Sequence, residues 1–213
     1  MKAFLFDLDG VIVDTAKYHF IAWNRIGKKV GVNLSHQQNE SLKGISRVES
    51  LERILQWANV QLTPEEKDRL LVEKNEDYLA QINHMGKEEI LPGVEALLQY
   101  AKAQRISVAL GSASKNATPI LTKLGISHYF DAIVDGNHVT KSKPNPEVFL
   151  KGAERLKQPP QNCIVFEDAA AGIAAAKAAG MTSIGMGDSE EVKTADYCFT
   201  SMEEITPEFI STL

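Results

Sequence analysis

Two pairs of acidic side chains follow apolar segments of this sequence. Asp7 and Asp9 come directly after the run AFLF, and Glu167 and Asp168 follow CIVF. Neighbouring carboxylates raise the cost of ionising one another unless a cation lies between them. A hard divalent cation such as Mg²⁺ takes ligands of this kind together with phosphate oxygens. The pattern therefore predicts a site for a divalent cation and a phosphate.

Other polar side chains follow the remaining apolar segments. Ser112 ends one of them, and Lys143 lies a short loop beyond another. Taken singly, each acid or serine could cap a helix, and Lys143 could be a solvated loop residue. Ligands bind outside the carboxyl ends of the strands in an open α/β sheet, and these side chains all fall at such ends. Independent capping would not require two acids at two separate strand ends.

These residue types suit phosphoryl transfer. Asp7 could attack phosphorus and form an aspartyl phosphate. Asp9, two residues later, could act as general acid and base on the hydroxyl that leaves or attacks, and Gly10 permits the turn that brings both inward. Ser112 and Lys143 would hold the oxygens of the phosphoryl group in transfer.

Apolar periodicity predicts an α/β fold with a doubly wound parallel sheet and an inserted helical domain. We expect an α/β core from residues 1–15 and 88–213 and a helical cap from residues 16–87. The predicted strands are 3–6, 106–111, 131–135, 163–168 and 182–186. The predicted helices are 16 to about 30, 48–58, 63–82, 94–104, 116–124, 146–156 and 169–179.

Composition narrows the class of protein. The 213 residues are 44% hydrophobic with a formal net charge of −5, which favours a packed core and disfavours nucleic-acid binding. No apolar stretch reaches the ~18 residues of a membrane span, and no signal-peptide pattern is present. We expect a soluble, cytoplasmic monomer. Cys163 and Cys198 are expected to be free, with Cys163 in the core.

Four short motifs, in order, resemble those of the haloacid dehalogenase superfamily of phosphotransferases. They are DLDG at 7–10, Ser112, Lys143-Pro144 and Glu167-Asp168. The resemblance implies that Asp7 is the nucleophile and Asp9 the acid and base. It also implies one Mg²⁺ held by Asp7, the backbone carbonyl of Asp9, Glu167 and Asp168. The helical insertion after the first motif is similar to the family's cap domain.

The cap sequence resembles the hexose-phosphate mutases of this superfamily, through the stretch TAKYHFIAW at 15–23 and the loop LKGISR at 42–47. The resemblance implies interconversion of β-D-glucose 1-phosphate and glucose 6-phosphate through β-glucose 1,6-bisphosphate. The alternatives are a sugar-phosphate phosphatase on the same scaffold and a non-catalytic sugar-phosphate sensor. The sensor is disfavoured because every catalytic position is filled.

A mutase needs a second phosphate site, for which Arg47 is the candidate because guanidinium binds phosphate in a bidentate manner. Without the resemblance, a surface salt bridge from Arg47 to Glu49 or Glu52 would be the better interpretation. Likewise, Trp23 could be a core residue, and His19 with Lys74 could be a packing histidine and a solvated lysine. The candidate substrate-binding residues are Thr15, His19, Trp23, Leu42, Gly44, Ile45, Ser46, Arg47, Lys74, Ser114, Lys115 and Asn116.

Overall fold

A parallel sheet forms the centre of the computed structural model, which describes residues 2–213. Within these residues the sheet has six strands in the order β3-β2-β1-β4-β5-β6. The strands are β1 (Ala3–Phe6), β2 (Ser107–Gly111), β3 (Ala132–Val134), β4 (Cys163–Glu167), β5 (Thr182–Met186) and β6 (Tyr197–Phe199). Strand β1 lies in the middle and pairs with β2 on one side and β4 on the other.

The chain also forms nine α-helices within the described residues. They are α1 (Ala16–Lys29), α2 (His36–Glu40), α3 (Arg47–Ala58), α4 (Pro64–Ile82), α5 (Val94–Ala103), α6 (Ala117–Leu124), α7 (Glu147–Arg155), α8 (Ala170–Ala178) and α9 (Pro207–Thr212). Helices α5, α6 and α9 pack on one face of the sheet, around the phenylalanines of β1. Helices α7 and α8 pack on the other face, around Leu5 and Val165. The prediction of a doubly wound parallel sheet is confirmed.

Helices α1 to α4, here called the cap helices, contain an apolar cluster that is separate from those on the two faces of the sheet. Trp23 and Ile26 of α1 pack there with Leu51 and Ile54 of α3. Helix α4 begins with the predicted capping box, in which Thr63 and Glu66 each bond to the other's backbone. The proposed division into a core of residues 1–15 and 88–213 and a cap of residues 16–87 stays a prediction.

The chain passes between the sheet and the cap helices twice, and the two passages lie side by side. Val13 and Ile90 form an antiparallel bridge. The N–H of Leu91 donates to the carbonyl of Ile12 at 3.0 Å, and the N–H of Asp14 donates to the carbonyl of Glu89. This pair of segments, residues 12–14 and 89–91, is called the hinge below.

Three elements differ from the sequence predictions because they are short. Strand β6, which runs parallel to β5 at the sheet edge, was not predicted, and neither were helices α2 and α9. An exposed three-residue strand has no periodicity to detect, and a helix of five or six residues depends on its cap and packing. The ends of the other predicted strands and helices agree with the observed ends to within one residue.

Two further predictions concern membranes and cysteines. None of the helices found between residues 2 and 213 has the length and hydropathy that crossing a bilayer requires. Both cysteines are free, and Cys163 lies buried in the sheet, so the expectations for Cys163 and for free thiols are confirmed.

Candidate active site

Asp7 lies at the carboxyl end of β1, in the middle of the sheet edge. Its N–H donates to the carbonyl of Phe166 at 3.0 Å, which extends the pairing of β1 with β4 by one residue. One oxygen of Asp7 accepts the N–H of Asp9 at 3.0 Å, so the turn that follows is fixed by the Asp7 side chain. Gly10 completes the turn with a φ of +82°, and a Cβ there would lie 2.1 Å from an oxygen of Asp168. Glycine is therefore required at position 10, because of the positive φ and because a side chain would clash with Asp168.

Three acidic side chains from two strand ends converge beside this turn. Carboxylate oxygens of Asp7, Glu167 and Asp168 lie within 4.8 Å of one another. Burial, and then the charge of Asp7, raises the pKa of Glu167 to about 7 against the opposing effect of Lys143. Burial, followed by Glu167 and Asp7, also raises the pKa of Asp168 well above its usual value. A buried set of mutually repelling hard oxygen donors fits a divalent cation such as Mg²⁺.

Lys143 is buried in the same place and is not a solvated loop residue. Its Nζ lies 2.5 Å from both Asp7 Oδ1 and Glu167 Oε1, and the residue is 1% exposed. Burial alone would lower the pKa of Lys143, but the two carboxylates outweigh it and raise the pKa above its usual range. The ammonium therefore stays charged and is positioned at the nucleophile.

The loop after β2 is built from consecutive serine-to-backbone hydrogen bonds. Ser112 Oγ accepts from the N–H of Ser114 at 3.0 Å, and Ser114 Oγ accepts from the N–H of Asn116 at 3.2 Å. Ser112 is buried, Ser114 and Asn116 are half-buried, and Lys115 is exposed. The loop after β3 supports it, since a Cβ on Gly136 would lie 2.5 Å from the carbonyl of Ala113.

Asp9 is connected to the cap helices through Thr15 and His19. The hydroxyl of Thr15 donates to Asp9 Oδ1, and His19 Nε2 lies 3.8 Å from the same oxygen. Lys74 of α4 donates to His19 Nδ1 at 2.9 Å. The structure thus brings the predicted pair of His19 and Lys74 together. With Lys74 charged, the proton of the imidazole is on Nε2, which makes no hydrogen bond within the described residues.

Lys74 is 2% exposed, and its ammonium lies over the rings of Trp23 and Tyr78 at 4.9 and 4.7 Å. Burial, with Arg47 acting in the same direction and Asp9 opposing, lowers the pKa of Lys74 to about 7. Burial and then the charge of Lys74 hold the pKa of His19 well below its usual value. His19 and Lys74 together therefore carry at most one positive charge near neutral pH.

We expect Lys74→Met to be more stable than the parent protein at pH 7, by an amount on the order of 1–4 kcal/mol. Unfolded Lys74 binds a proton up to its ordinary pKa of 10.5, whereas the folded side chain releases it near 7. As the pH increases from about 7 to 10.5, the free energy of unfolding of the parent protein therefore rises relative to that of Lys74→Met. Urea unfolding at pH 7 and pH 10 measures this, and a constant difference between the two proteins would contradict it.

The loop of residues 42–47 in the cap lies against the core, beside the converging carboxylates of Asp7, Glu167 and Asp168. Gly44 has a φ of +71°, and a Cβ there would lie 3.1 Å from the Cβ of Ala169. The structure buries Leu42 and Ile45 in the apolar cluster of the cap helices, and their contact with substrate stays a prediction. Trp23 is 3% exposed in the same cluster, so it lies in the core of the cap helices rather than on an open face. The hydroxyl of Ser46 caps α3.

Arg47 makes a different contact from the surface salt bridge considered from the sequence. Its Nη2 donates to Asn75 Oδ1 at 2.7 Å. Glu49 pairs instead with Arg53, and Glu52 pairs with Lys67. Among the residues from 2 to 213, no carboxylate forms a salt bridge with Arg47. Its guanidinium is half-buried and turned towards the interface between the cap helices and the sheet.

Sequence reasoning missed several contributors to this site. Lys43 lies 3.7 Å from Asp168 Oδ2 and 2.8 Å from Glu40, and Ser142 donates to Glu49 at 3.1 Å across the same interface. Lys43 falls inside the LKGISR motif, so its position was a usable signal. Asn75 had no signal beyond lying next to Lys74.

Gly172, at the start of α8, was also missed. A Cβ there would lie 1.7 Å from Glu167 Oε1.

We expect Gly172→Ala to push the Glu167 carboxylate aside and to raise the Mg²⁺ concentration for half-maximal activity by about 10–100-fold, as changes beside metal ligands do. A Mg²⁺ titration measures this. The control is Ala174→Ser on the exposed side of the same helix; an unchanged requirement in Gly172→Ala would contradict the prediction.

The parallel sheet carries four groups of polar side chains at one edge, and together they are typical of a family of phosphate-transferring enzymes. The groups are Asp7 with Asp9, Ser112, Lys143, and Glu167 with Asp168. The family described as haloacid dehalogenase-like hydrolase matches residues 1–180. The chain belongs to this family.

Within it, the chain is similar to a β-phosphoglucomutase. It is 43% identical to the β-phosphoglucomutase of Bacillus subtilis over 212 residues, which is 99% of this chain and 94% of that protein. The crystal structure of a β-phosphoglucomutase from Clostridium difficile superposes with a TM-score of 0.95 at 47% identity and covers 100% of this chain and 96% of its own. The fructose-1-phosphate phosphatase YqaB of Escherichia coli is 35% identical over 84% of this chain and 93% of its own.

Proposed function

We propose that this protein is an isomerase that interconverts β-D-glucose 1-phosphate and glucose 6-phosphate, as a β-phosphoglucomutase does. The observation that supports the proposal is that two hydrogen-bond donors suited to phosphate, Arg47 of the cap helices and Asn116 of the core loop, both bond to one group, Asn75. We infer that they form a second phosphate site. A hydrolase needs only the transfer site, whereas a mutase must also hold the phosphate that does not react.

The chemistry begins at Asp7. A carboxylate oxygen of Asp7 attacks phosphorus of the sugar bisphosphate, the phosphorus–oxygen bond to the sugar breaks, and Asp9 gives its proton to the departing oxygen. The product is the aspartyl phosphate. Lys143, 2.5 Å from Asp7, and Ser112 are positioned to hold the equatorial oxygens of the phosphoryl group.

The second half of the cycle reverses these roles. Asp9, now deprotonated, takes the proton from O6 of β-glucose 1-phosphate, and that oxygen attacks the aspartyl phosphate to form β-glucose 1,6-bisphosphate. The bisphosphate then binds the other way round, and transfer of its 1-phosphate to Asp7 leaves glucose 6-phosphate. Asp7, the backbone carbonyl of Asp9, Glu167 and Asp168 would hold Mg²⁺, which supplies positive charge to the phosphoryl group.

Closure of the cap helices protects the aspartyl phosphate. The hydrogen bond from Thr15 and the nearby Nε2 of His19 orient Asp9 from the cap side. A cap held on the sheet excludes water, so a sugar hydroxyl rather than water reaches the intermediate. We assign phosphoryl transfer to residues 1–15 and 88–213 and closure to residues 16–87, and we propose that one chain is sufficient for both.

A sugar-phosphate phosphatase is the second candidate, because the transfer site is shared with relatives such as the fructose-1-phosphate phosphatase. The discriminating assay supplies β-glucose 1-phosphate, Mg²⁺ and a trace of β-glucose 1,6-bisphosphate. We expect glucose 6-phosphate, detected by a coupled dehydrogenase. Release of inorganic phosphate without glucose 6-phosphate would make the phosphatase the correct assignment.

We expect Arg47→Ala to lower kcat/KM for β-glucose 1-phosphate by at least about tenfold, since a hydrogen bond to a charged group contributes roughly 1.5–3 kcal/mol. The reaction with acetyl phosphate, which has no distal phosphate, should fall much less, because Asp7 and Lys143 are unchanged. Arg47→Lys should recover only part of the loss, since ammonium lacks the planar fork.

Arg69→Ala is the matched control for Arg47→Ala. Arg69 lies on helix α4 of the same cap, and its side chain is exposed. It should retain parental kcat/KM. Parental mutase turnover in Arg47→Ala would show that the cap loop does not bind the distal phosphate, and the phosphatase would then be preferred.

A further inference from the structure

Asn75 connects the cap helices to the loop after β2 through a single atom. Its Oδ1 accepts from Arg47 Nη2 at 2.7 Å and from Asn116 Nδ2 at 2.9 Å. Arg47 and Asn75 belong to α3 and α4 of the cap, whereas Asn116 belongs to the core. The contact therefore joins the two halves of the proposed distal phosphate site. From this geometry we infer that Asn75 is a positioning residue that holds the cap on the core and presents Arg47 and Asn116 together to that phosphate.

The remaining donors make this role possible. Among the contacts of residues 2–213, the bond to Asn75 uses one of the five N–H donors of Arg47 and one of the two on the Asn116 amide. The others stay available for phosphate oxygens. Both donors can thus bind Asn75 and an anion at the same time, and the acceptor fixes their relative position before the anion arrives.

The neutral amide of Asn75 matters as well. A carboxylate at this position would form a charge-assisted pair with Arg47 and would compete with phosphate for the guanidinium. An amide oxygen accepts the same two hydrogen bonds without adding negative charge. The residue therefore stabilises contact between cap and core at little cost to anion affinity.

Other polar contacts also join the cap to the core: Lys17 and Tyr18 to Glu89, His19 to Asp9, Lys43 to Asp168, Ser142 to Glu49 and Lys123 to the carbonyl of Asn83. None of these reaches the loop of Ser114 to Asn116. Of this set, the Asn75 contact is the one that links closure to the distal phosphate donors. If closure precedes productive binding, the apparent dissociation constant rises as the closed fraction falls, by the same factor.

The consequence is a specific kinetic pattern, and this part of the inference rests on the proposed function. Asn75→Leu keeps the approximate size and removes the acceptor. We expect KM for β-glucose 1-phosphate to rise about tenfold while kcat stays within about twofold, because saturating substrate restores the closed form. Asn24→Leu is the matched control, because the amide oxygen of Asn24 accepts from Leu34 within the cap and does not reach the core.

The test of the contact itself needs no substrate. Small-angle X-ray scattering of the purified chain without sugar phosphate should give a larger radius of gyration for Asn75→Leu than for the parent protein and Asn24→Leu. Asn75→Ser is too short to reach both donors and should open in the same way, so it serves if Asn75→Leu does not fold, whereas Asn75→Asp keeps an acceptor oxygen and should remain as compact as the parent. An open Asn75→Asp, an unchanged Asn75→Leu, or equal opening in Asn24→Leu would overturn the inference.

The two measurements separate the inference from the proposed function. If the parent protein produces no glucose 6-phosphate but Asn75→Leu opens, the proposed function fails and the closing role of Asn75 stands. If the parent protein is an active mutase and Asn75→Leu has parental KM and compactness, the inference fails and the proposed function stands.

Discussion

Asp7→Asn should abolish turnover while leaving the protein folded. The substitution removes the attacking carboxylate. It also removes one of the three carboxylates that converge where a metal ion could bind, the other two being Glu167 and Asp168. Asp7 lies at the end of β1 and not among the apolar side chains of the sheet, and Lys143 keeps Glu167 as a partner at 2.5 Å. Circular dichroism and thermal melting should therefore stay close to those of the parent protein.

The control for Asp7→Asn is Asp14→Asn, the same chemical change in the hinge, which should remain active. Asparagine at a strand end can deamidate back to aspartate, so mass spectrometry of the assayed sample is required. A chemically intact Asp7→Asn protein that still forms glucose 6-phosphate would exclude Asp7 as the nucleophile.

Asp9→Asn should bind sugar phosphates but lower kcat by ~10²–10⁴-fold, the contribution expected of a positioned general acid and base. The amide retains an oxygen for the hydroxyl of Thr15, and the backbone carbonyl of residue 9 is unchanged. Calorimetric titration with β-glucose 1-phosphate measures binding separately from turnover. Parental kcat in this variant would remove Asp9 from its proposed role.

The pH profile gives a second test of Asp9. Burial, and then the charge of Asp7, raises the pKa of Asp9 to about 6. Asp9 must be deprotonated to accept the proton of the sugar hydroxyl, so kcat/KM for β-glucose 1-phosphate should fall as the pH drops through this range. The fall should be absent from the residual activity of Asp9→Asn, and its persistence there would assign the titration to another group.

The candidate catalytic groups could be placed together from sequence because strand topology does most of the positioning. Once a parallel sheet is predicted, the ends of β1, β2 and β4 must lie along one edge, and Asp7, Ser112 and Glu167 follow from their place in the chain. Lys143 could be placed at the same edge because it lies a short loop beyond β3, and the family resemblance supports the same assignment. The LKGISR loop, in contrast, became informative only through that resemblance.

The contacts of the cap could not be predicted in the same way. The position of Asn75 between Arg47 and Asn116 depends on the angle at which α4 meets the loop after β2, and neither residue type nor spacing determines that angle. The burial of Trp23 depends on which face of α1 turns inward, and that of Leu42 and Ile45 on how the loop of residues 42–47 packs on the same apolar cluster. A motif match identifies residues near a site without separating those that contact substrate from those that support the loop.

The central place of β1 in the sheet also affects how the chain is made. Ala3 pairs with Ser107 on one side and with Cys163 on the other, so β1 is synthesised more than a hundred residues before its partners. The cap helices, which pack mainly on one another, are synthesised in that interval. The segment AFLF stays unpaired and apolar through that interval, which makes the nascent chain prone to association with other chains until β4 has been synthesised.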